Sequence, residues 1–159
     1  MAFESKEEDL DSRDWALLQA LQRNARMTFA ELARHVRLTA PAVAERVRRL
    51  EDKGIISGYH VAINLTRIGR PLQVYFRVFV PPREYPRFSK TVEALPEVLE
   101  CYHVTGVESF VLKAAVRSVQ HLEDLIGKMT AFGETTTSVV LSQTIGTKVI
   151  GRDAGDRGR

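Results

Sequence analysis

The sequence predicts an α+β protein with an N-terminal helix-turn-helix domain and a C-terminal ferredoxin-like βαββαβ domain. Three short helices with clear capping signals come first, and a very short link joins the second helix to the third. From Leu72 onward the apolar residues switch from helical spacing to alternation, which is typical of strands. Segments with strand and helix patterns then follow in the order β-α-β-β-α-β. These three observations define the predicted architecture.

Capping residues predict where the first two helices begin. Asp11 is a candidate N-cap with Asp14 three residues later, and this helix is expected to end near Asn24. Thr28 and Glu31 form a capping-box pattern, in which the Thr hydroxyl accepts from one backbone amide and the Glu carboxylate accepts from another. The second helix is therefore expected to begin directly after Thr28.

The third helix has the residue pattern of a DNA-recognition helix. Thr39 is its candidate N-cap, Pro41 fits its first turn, and Gly54 is expected to end it in a left-handed conformation. Its buried stripe is predicted to consist of Val43, Val47 and Leu50. Small residues at its start and arginines on its outward side suit a helix that enters the major groove, which is about 12 Å wide.

A solvated helix laced with ion pairs is the alternative interpretation of the same residues. It predicts i,i+4 pairs between Glu45 and Arg49 and between Arg48 and Asp52, worth about 0.3 kcal/mol each. The charge distribution favours a polyanionic partner. Residues 23–53 hold eight basic residues against four acidic ones, a net charge of +4, whereas residues 1–14 have a net charge of −4.

The linker and the tail complete the predicted domain organisation. Residues 55–64 have β-branched residues and Tyr59, and they are expected to form an extended strand that leaves the helical domain. The predicted domains are a helix-turn-helix DNA-binding domain at residues 1–54, a hinge strand and linker at 55–71, a βαββαβ domain that mediates oligomerisation at 72–150, and a charged disordered tail at 151–159.

The second half is expected to form one antiparallel sheet with both helices on one face. The predicted strands are 72–80, 98–104, 110–116 and 135–145, with helices around 85–95 and 122–132. The other face has no cover, and it includes Tyr75 and Phe79. Since monomers rarely expose apolar patches of this kind, we expect this face to form a dimer interface.

Composition excludes several classes of protein. Apolar residues make up 44% and charged residues 27%, which favours a globular protein over a disordered or collagen-like one. No apolar run approaches the roughly 20 residues that a membrane helix requires, and the first ten residues are acidic rather than signal-like. A single cysteine, Cys101, excludes a disulfide scaffold and a zinc finger. We expect a cytoplasmic protein with no membrane partner.

Beyond these patterns, the sequence resembles the Lrp/AsnC family of leucine-responsive and asparagine-regulatory transcription factors over nearly its whole length. The most specific segments are RVRRLEDKGIISGY at 46–59, HVTGVESFVLKAAV at 103–116 and TTTSVVLSQTI at 135–145. The resemblance implies a winged helix-turn-helix, a hinge strand and a ligand-sensing βαββαβ module. It also implies homodimers that assemble further into tetramers or octamers, double-stranded DNA as a partner, and an amino acid or related small effector.

The predicted site residues fall into two sets. The DNA-binding set is Thr28, Arg37, Thr39, Ala40, Pro41, Ala42, Glu45, Arg46, Arg48 and Arg49. The effector set, which the resemblance implies, is Thr105, Gly106, Val107, Glu108 and Ser109, with Thr135, Thr137 and Ser138 from a neighbouring subunit. The family often has glycine at the position of Arg37, so a left-handed Arg37 would cost on the order of 1 kcal/mol.

One departure from the family concerns the charge at the effector turn. The family often has an acid at the position of Ser109, able to hold an effector's ammonium group, and here the acid is Glu108. Glu108 either takes over that role or points away, because adjacent residues of an extended segment face opposite sides.

Catalysis is the alternative function. Some sirohaem decarboxylase subunits share this two-domain architecture, so the fold alone does not decide the function. The four histidines, at positions 35, 60, 103 and 121, have no metal-ligand spacing, and no Ser-His-Asp or Cys-His pattern is visible. We therefore expect structural or solvated histidines, no metal, no cofactor and no catalytic residues.

Overall fold

The computed structural model describes residues 9–152. The chain forms two compact units, residues 9–62 together with 145–152, and residues 63–144. Most of the predicted disordered tail, residues 153–159, lies outside the described residues. Residues 145–152 belong by their contacts to the first unit. There the Gln22 side chain donates to the Ile150 carbonyl at 2.9 Å and accepts from the Ile150 amide at 2.8 Å.

Three helices form the first unit: α1 (Ser12–Arg23), α2 (Phe29–Val36) and α3 (Ala40–Asp52). Its core joins apolar residues from all three helices. They are Leu17, Ala20, Leu21, Leu32, Ala33, Val36, Val43 and Val47. The predicted stripe of α3 is confirmed, since Val43, Val47 and Leu50 are buried.

The predicted caps are confirmed atom by atom. The Asp11 side chain accepts from the Asp14 amide at 2.8 Å, while the Asp14 side chain accepts from the Asp11 amide, so both halves of a capping box are present. Thr28 and Glu31 form the second capping box, and Thr39 caps α3. Arg37, at the end of α2, has φ 54°, the left-handed conformation that favours glycine.

The strand predicted at residues 55–64 is absent, and the three helices are the regular elements of the first unit's described residues. The alternating apolar residues Tyr59, Val61 and Ile63 are exposed. A strand needs a hydrogen-bonded neighbour, and the described part of this chain offers none to these residues. A short 3-10 turn at Thr66–Ile68 and a left-handed Gly69 follow.

The second unit confirms the βαββαβ order and the single antiparallel sheet. Its elements are β1 (Leu72–Val78), α4 (Tyr85–Glu93), β2 (Val98–His103), β3 (Phe110–Val116), α5 (Val119–Thr130) and β4 (Thr135–Val139). The strand order is β2-β3-β1-β4, with every neighbouring pair antiparallel. Alternate residues of β1 and β3 share one core with the apolar faces of α4 and α5. Both helices therefore cover the same face of the sheet.

Three strands are shorter than predicted, and β2 is shorter by one residue because it ends at His103. β4 ends at Val139 rather than near residue 145. The Val140 amide still donates to the Gln73 carbonyl at 2.9 Å, but β1 begins at Leu72, so a ladder that continued to residue 145 would have no partner residues. β1 ends at Val78, although Val80 is still buried and the Phe79 amide donates to the Glu134 carbonyl at 2.8 Å. Alternation of apolar residues marks extended backbone, whereas a ladder also requires a partner.

Candidate DNA-binding and effector sites

The outward side of α3 begins with small residues. Thr39, Pro41 and Glu45 are exposed, and Ala40 and Ala42 are half-buried. The Thr39 hydroxyl accepts from the Ala42 amide at 3.4 Å, so the cap positions the first turn. Because Val43 and Val47 occupy the core, the helix presents Thr39 and Pro41 to solvent, whereas Ala40 also packs against the core. This end of α3 is narrow enough for close approach to another surface.

Arg48 supplies the exposed positive charge in the middle of α3. Its side chain is 67% exposed and contacts Glu45 at 2.9 Å across one helical turn. Exposed pairs of this kind contribute about 0–1 kcal/mol, so Arg48 exchanges partners at little cost. Arg37 and Thr28, at the two ends of α2, are exposed as well.

Two arginines of the predicted DNA-binding set form ion pairs with acidic residues at the start of α1. Arg46 Nη1 lies 2.6 Å from Asp11 Oδ2 and 2.8 Å from Asp14 Oδ1, and Arg49 Nη2 lies 2.8 Å from Asp14 Oδ2. Asp14 is 1% exposed. The hydrogen bond that Arg46 donates to the Asp14 carboxylate raises the pKa of Arg46 above its already high ordinary value. Their contact with DNA stays a prediction.

The two arginines for which the solvated-helix interpretation predicts i,i+4 ion pairs have other partners in the structure. Arg48 pairs with Glu45 rather than Asp52, and Arg49 pairs with Asp14 rather than Glu45. The spacing along one helix could not predict the Asp14 contact, because that partner lies 35 residues away in the sequence.

The predicted effector turn joins β2 to β3. Thr105, Gly106 and Val107 are exposed, and Gly106 has φ 126°, a conformation that disfavours side chains. The turn is closed by a hydrogen bond from the Val104 amide to the Ser109 carbonyl at 2.9 Å. Its tip is therefore an exposed backbone segment beside the end of the sheet.

Ser109 and Glu108 point to different environments. The Ser109 hydroxyl is buried, where it donates to the Val80 carbonyl at 3.0 Å and accepts from the Val80 amide at 3.2 Å. The Glu108 carboxylate lies 3.8 Å from Arg77 Nε, and both side chains are partly exposed. Glu108 is thus the acid available to solvent at this turn, and the Ser109 hydroxyl has structural partners.

The residues predicted on β4 do not share one face. Register pairs Thr135 with Val78 and Thr137 with Phe76, whose side chains are buried under the helices, whereas Ser138 pairs with Tyr75 on the open face. Directly paired residues lie on the same side of a sheet. Ser138 is therefore on the open side and the two threonines on the other.

Sequence reasoning missed two residues at this end of the sheet. Arg77 lies on the open face of β1, and its paired residue on β4 is Thr136, which is exposed. The alternation of β1 carried the signal for Arg77, because it put this residue on the half-polar side. No such signal marked Thr136. Together with Glu108, these residues place an acid, a cation and a hydroxyl at one end of the sheet.

The open face of the sheet carries exposed aromatic rings and a small charged cluster. Tyr75, Phe79 and Tyr102 are 42%, 45% and 55% exposed. Glu100 accepts from the Tyr102 hydroxyl at 2.7 Å and from Lys113 Nζ at 3.1 Å, and these two bonds lower the pKa of Glu100. The exposed aromatic residues expected from the sequence are confirmed.

The histidines have the structural or solvated surroundings expected. His103 stacks on Phe110 with ring centroids 4.9 Å apart, and His121 Nε2 lies 2.7 Å from Glu97 Oε1. His35 and His60 are exposed. Across residues 9–152, no three His, Cys, Asp or Glu side chains gather in a way that could hold a metal ion. No helix in that range is long and apolar enough to cross a bilayer.

Comparison with known proteins agrees with this division. Residues 10–57 match the family model of a winged helix-turn-helix DNA-binding domain, and residues 73–150 match that of the Lrp/AsnC ligand binding domain. A helix-turn-helix transcriptional regulator of Bacillus subtilis, YezC, is 38% identical over 85% of this chain and 96% of its own length.

Two solved structures have the same fold. The structure of LrpC from Bacillus subtilis has a TM-score of 0.83 and 33% identity, and the alignment covers 89% of this chain and all of that one. A transcriptional regulator of Neisseria meningitidis, NMB0573, solved in complex with L-Met, has a TM-score of 0.84 and 27% identity, with 89% and 96% of the two chains covered.

Proposed function

This chain belongs to the Lrp/AsnC family of transcriptional regulators, and from that premise we propose that it binds double-stranded DNA through the exposed side of α3 and responds to an amino acid or a related small effector. The observation that carries the proposal is the exposed start of α3, where small residues precede Arg48 and lie opposite a fully buried stripe. Such a helix can enter a major groove about 12 Å wide without clashes.

The proposed DNA-binding face keeps eight of the ten predicted residues. They are Thr28, Arg37, Thr39, Ala40, Pro41, Ala42, Glu45 and Arg48. The small residues and Glu45 would approach base edges, and the two arginines would bind phosphate or guanine. Arg46 and Arg49 are left out because both donate to acidic residues of α1.

Salt dependence of DNA affinity tests this face. Arg48→Ala is expected to reduce the slope of log affinity against log salt by about 0.9, since one phosphate contact is lost. Arg87→Ala is a matched control, because Arg87 is 68% exposed and also pairs with a glutamate one helical turn away, but on α4. Fluorescence anisotropy with labelled duplex DNA measures both. Equal slopes for Arg48→Ala and the unmutated protein would remove Arg48 from the face.

The open face of the sheet is the proposed homodimer interface, through Tyr75, Phe79 and Tyr102. Dimerisation would remove from water the apolar surface of these rings, which a monomer leaves exposed, and this burial is favourable. A two-fold dimer would put two copies of α3 on half-sites about 34 Å apart or a multiple of it. Further assembly to a tetramer or octamer follows the family pattern.

Tyr75→Glu tests the interface by placing a charge at its centre. The variant is expected to sediment as a monomer at concentrations where the unmutated protein is a dimer or larger. Val119→Glu is the control, because Val119 is exposed at the start of α5, on the covered side of the sheet. A dimer that survives Tyr75→Glu unchanged would move the interface elsewhere.

Arg77, Glu108 and Thr136 are proposed as the effector site, next to the turn of Thr105, Gly106 and Val107. An amino acid carries one carboxylate and one ammonium group, which can replace the two partners of the partly exposed Arg77–Glu108 pair. The complex of the Neisseria meningitidis relative with L-Met makes methionine the first effector to try.

Thermal shift with a panel of amino acids identifies the effector. A ligand at 100 times its dissociation constant stabilises the protein by about 2.7 kcal/mol, which is readily measured. Glu108→Gln is expected to abolish the thermal shift, whereas Glu123→Gln, at an exposed position of α5, should keep it. Coupling to DNA should then be reciprocal, with a typical magnitude of about 1–3 kcal/mol. A full shift in Glu108→Gln would exclude this acid from the site.

The relatives reported above are named as transcriptional regulators, which supports regulation over the sirohaem decarboxylase alternative. We propose action by binding alone, without a catalytic step or a cofactor, in the cytoplasm. Mixing purified protein with sirohaem should leave its absorbance spectrum unchanged. A shifted spectrum would revive the enzymatic alternative.

A further inference from the structure

Two acidic residues at the start of α1 hold two arginines of α3. We infer that Asp11 and Asp14 withhold Arg46 and Arg49 from DNA and so limit the sequence-independent affinity of this domain. The inference rests on the proposed DNA-binding face and specifies which of its arginines are available.

The contacts form one closed network. A single nitrogen of Arg46, Nη1, is shared by Asp11 Oδ2 at 2.6 Å and Asp14 Oδ1 at 2.8 Å, while Arg49 Nη2 takes the other Asp14 oxygen at 2.8 Å. Asp14 Oδ2 also accepts from the Asp11 amide at 3.3 Å. Both oxygens of Asp14 are therefore engaged with α3.

Burial makes these partners hard to exchange. Asp14 is 1% exposed, and a buried carboxylate needs its cationic partners because water is excluded from it. The Arg46 side chain is 23% exposed. Arg48, by contrast, pairs with a glutamate that is itself 68% exposed and has water available as a substitute. The two classes of arginine on one helix therefore differ in their freedom to reach a phosphate.

Helix capping fixes the geometry of the acidic pair. Asp11 Oδ1 accepts from the Arg13 and Asp14 amides at 2.8 Å each, leaving Oδ2 for Arg46. The hydrogen bonds that begin α1 thus also orient the carboxylate towards α3. This coupling makes Asp11 and Asp14 positioning residues for the recognition helix.

The consequence for DNA binding is electrostatic. Phosphate contacts dominate affinity without carrying sequence information, and each one steepens the salt dependence. Two carboxylates that neutralise two guanidinium groups reduce this general attraction. The start of α3, from Thr39 to Ala42, then contributes a larger share of the binding through base contacts.

Single substitutions of the arginines test the inference directly. Arg49→Ala is expected to leave the salt slope for a random-sequence duplex unchanged, while Arg48→Ala reduces it by about 0.9. Arg49 suits this test because its side chain is 49% exposed and Asp14 keeps Arg46 as a partner when it is removed. A slope reduction by Arg49→Ala equal to that of Arg48→Ala would overturn the inference.

Removing the negative charge of Asp14 should change the salt slope in the opposite direction. Asp14→Asn preserves the size of the side chain and releases Arg49, whereas Arg46 keeps Asp11 as a partner, so the slope should steepen by about 0.9. Affinity for random-sequence DNA should rise several-fold, and Asp14→Asn/Arg49→Ala should show none of the added slope, because Asp11 still holds Arg46. A folded Asp14→Asn protein with an unchanged slope would overturn the inference. Should Asp14→Asn fail to fold, Arg49→Ala and Arg46→Ala decide the question.

The outcomes separate this inference from the proposed function. If the unmutated protein shows no salt-dependent affinity for duplex DNA, the proposed function fails. If it binds and Arg48→Ala lowers the slope, the function stands, and the response to Arg49→Ala and Asp14→Asn judges the inference alone.

Discussion

Replacing His121 by alanine is expected to destabilise the sheet unit by about 3 kcal/mol, because it removes the partner of a buried carboxylate. Glu97 precedes β2 and is 7% exposed. Its Oε1 lies 2.7 Å from His121 Nε2, and its Oε2 is buried without a hydrogen-bond partner. The Glu97 carbonyl meanwhile accepts from the Ala115 amide at 2.9 Å, so this residue cannot move outward freely.

The magnitude follows from what remains after the substitution. Without His121, the carboxylate keeps only the hydrogen bond from its own backbone amide among the described residues, and breaking a buried pair in this way costs about 3–5 kcal/mol. We take the lower end because the His121 side chain is 18% exposed and water can enter the space it leaves. Glu97→Gln should cost less than His121→Ala, since a neutral amide has a smaller desolvation penalty than a charge.

Urea unfolding at fixed protein concentration measures these effects for both single variants and the double variant. Glu97→Gln added to His121→Ala should recover about half of the lost stability, because the unpaired charge is gone. Either of two results would show that Glu97 does not depend on His121: a loss below about 1 kcal/mol for His121→Ala, or a double variant whose loss equals the sum of the losses in the two single variants.

The same pair predicts how stability depends on pH. Burial by itself would raise the pKa of Glu97, but the hydrogen bond from His121 and the nearby charge of Lys128 bring it below its ordinary value of 4.5. A carboxyl whose folded pKa is lowered stabilises the protein above its unfolded pKa. This contribution should be complete above about pH 5 and lost as the pH falls below 4.5 through the folded pKa, and it should be absent from Glu97→Gln.

Three backbone positions give further predictions for the same unfolding assay. Gly133→Ala should cost about 1–3 kcal/mol, because a Cβ there would lie 2.0 Å from the Phe79 carbonyl oxygen, while Gly127→Ala, with open space around it inside α5, should gain up to about 1 kcal/mol. Equal effects of the two would contradict the close approach at Gly133. Arg37→Gly should stabilise the first unit by about 1 kcal/mol by relieving its left-handed φ of 54°, and a loss of stability would show that Arg37 contributes a compensating contact.

Local signals explain why so much of the fold was predictable. A capping box such as Thr28–Glu31 operates within four residues, and the alternation along β1 reports burial directly. These interactions need no distant partner. The strand predicted at residues 55–64 does not form. Strand pairing depends on a neighbouring strand, and the local residue pattern does not specify one.

The candidate sites were predictable only to the level of segments. Helical spacing put Arg48 and Arg49 on one outward side, yet the two have different partners, because Asp14 approaches α3 from another helix. The turn at Gly106 could be predicted from its residues. The position of Thr136 next to Arg77 is known only from the pairing of β1 with β4.

Caps, periodicity and motifs are properties of neighbouring residues, so the helices, the order of the strands along the chain and the family could all be predicted without coordinates. Which charges stay available depends instead on how the chain folds. Asp14 with Arg49, Glu97 with His121 and Glu108 with Arg77 are each pairs that folding brings together from separate segments. Electrostatic energy depends on distance and burial in space, and neither can be obtained from position along the chain.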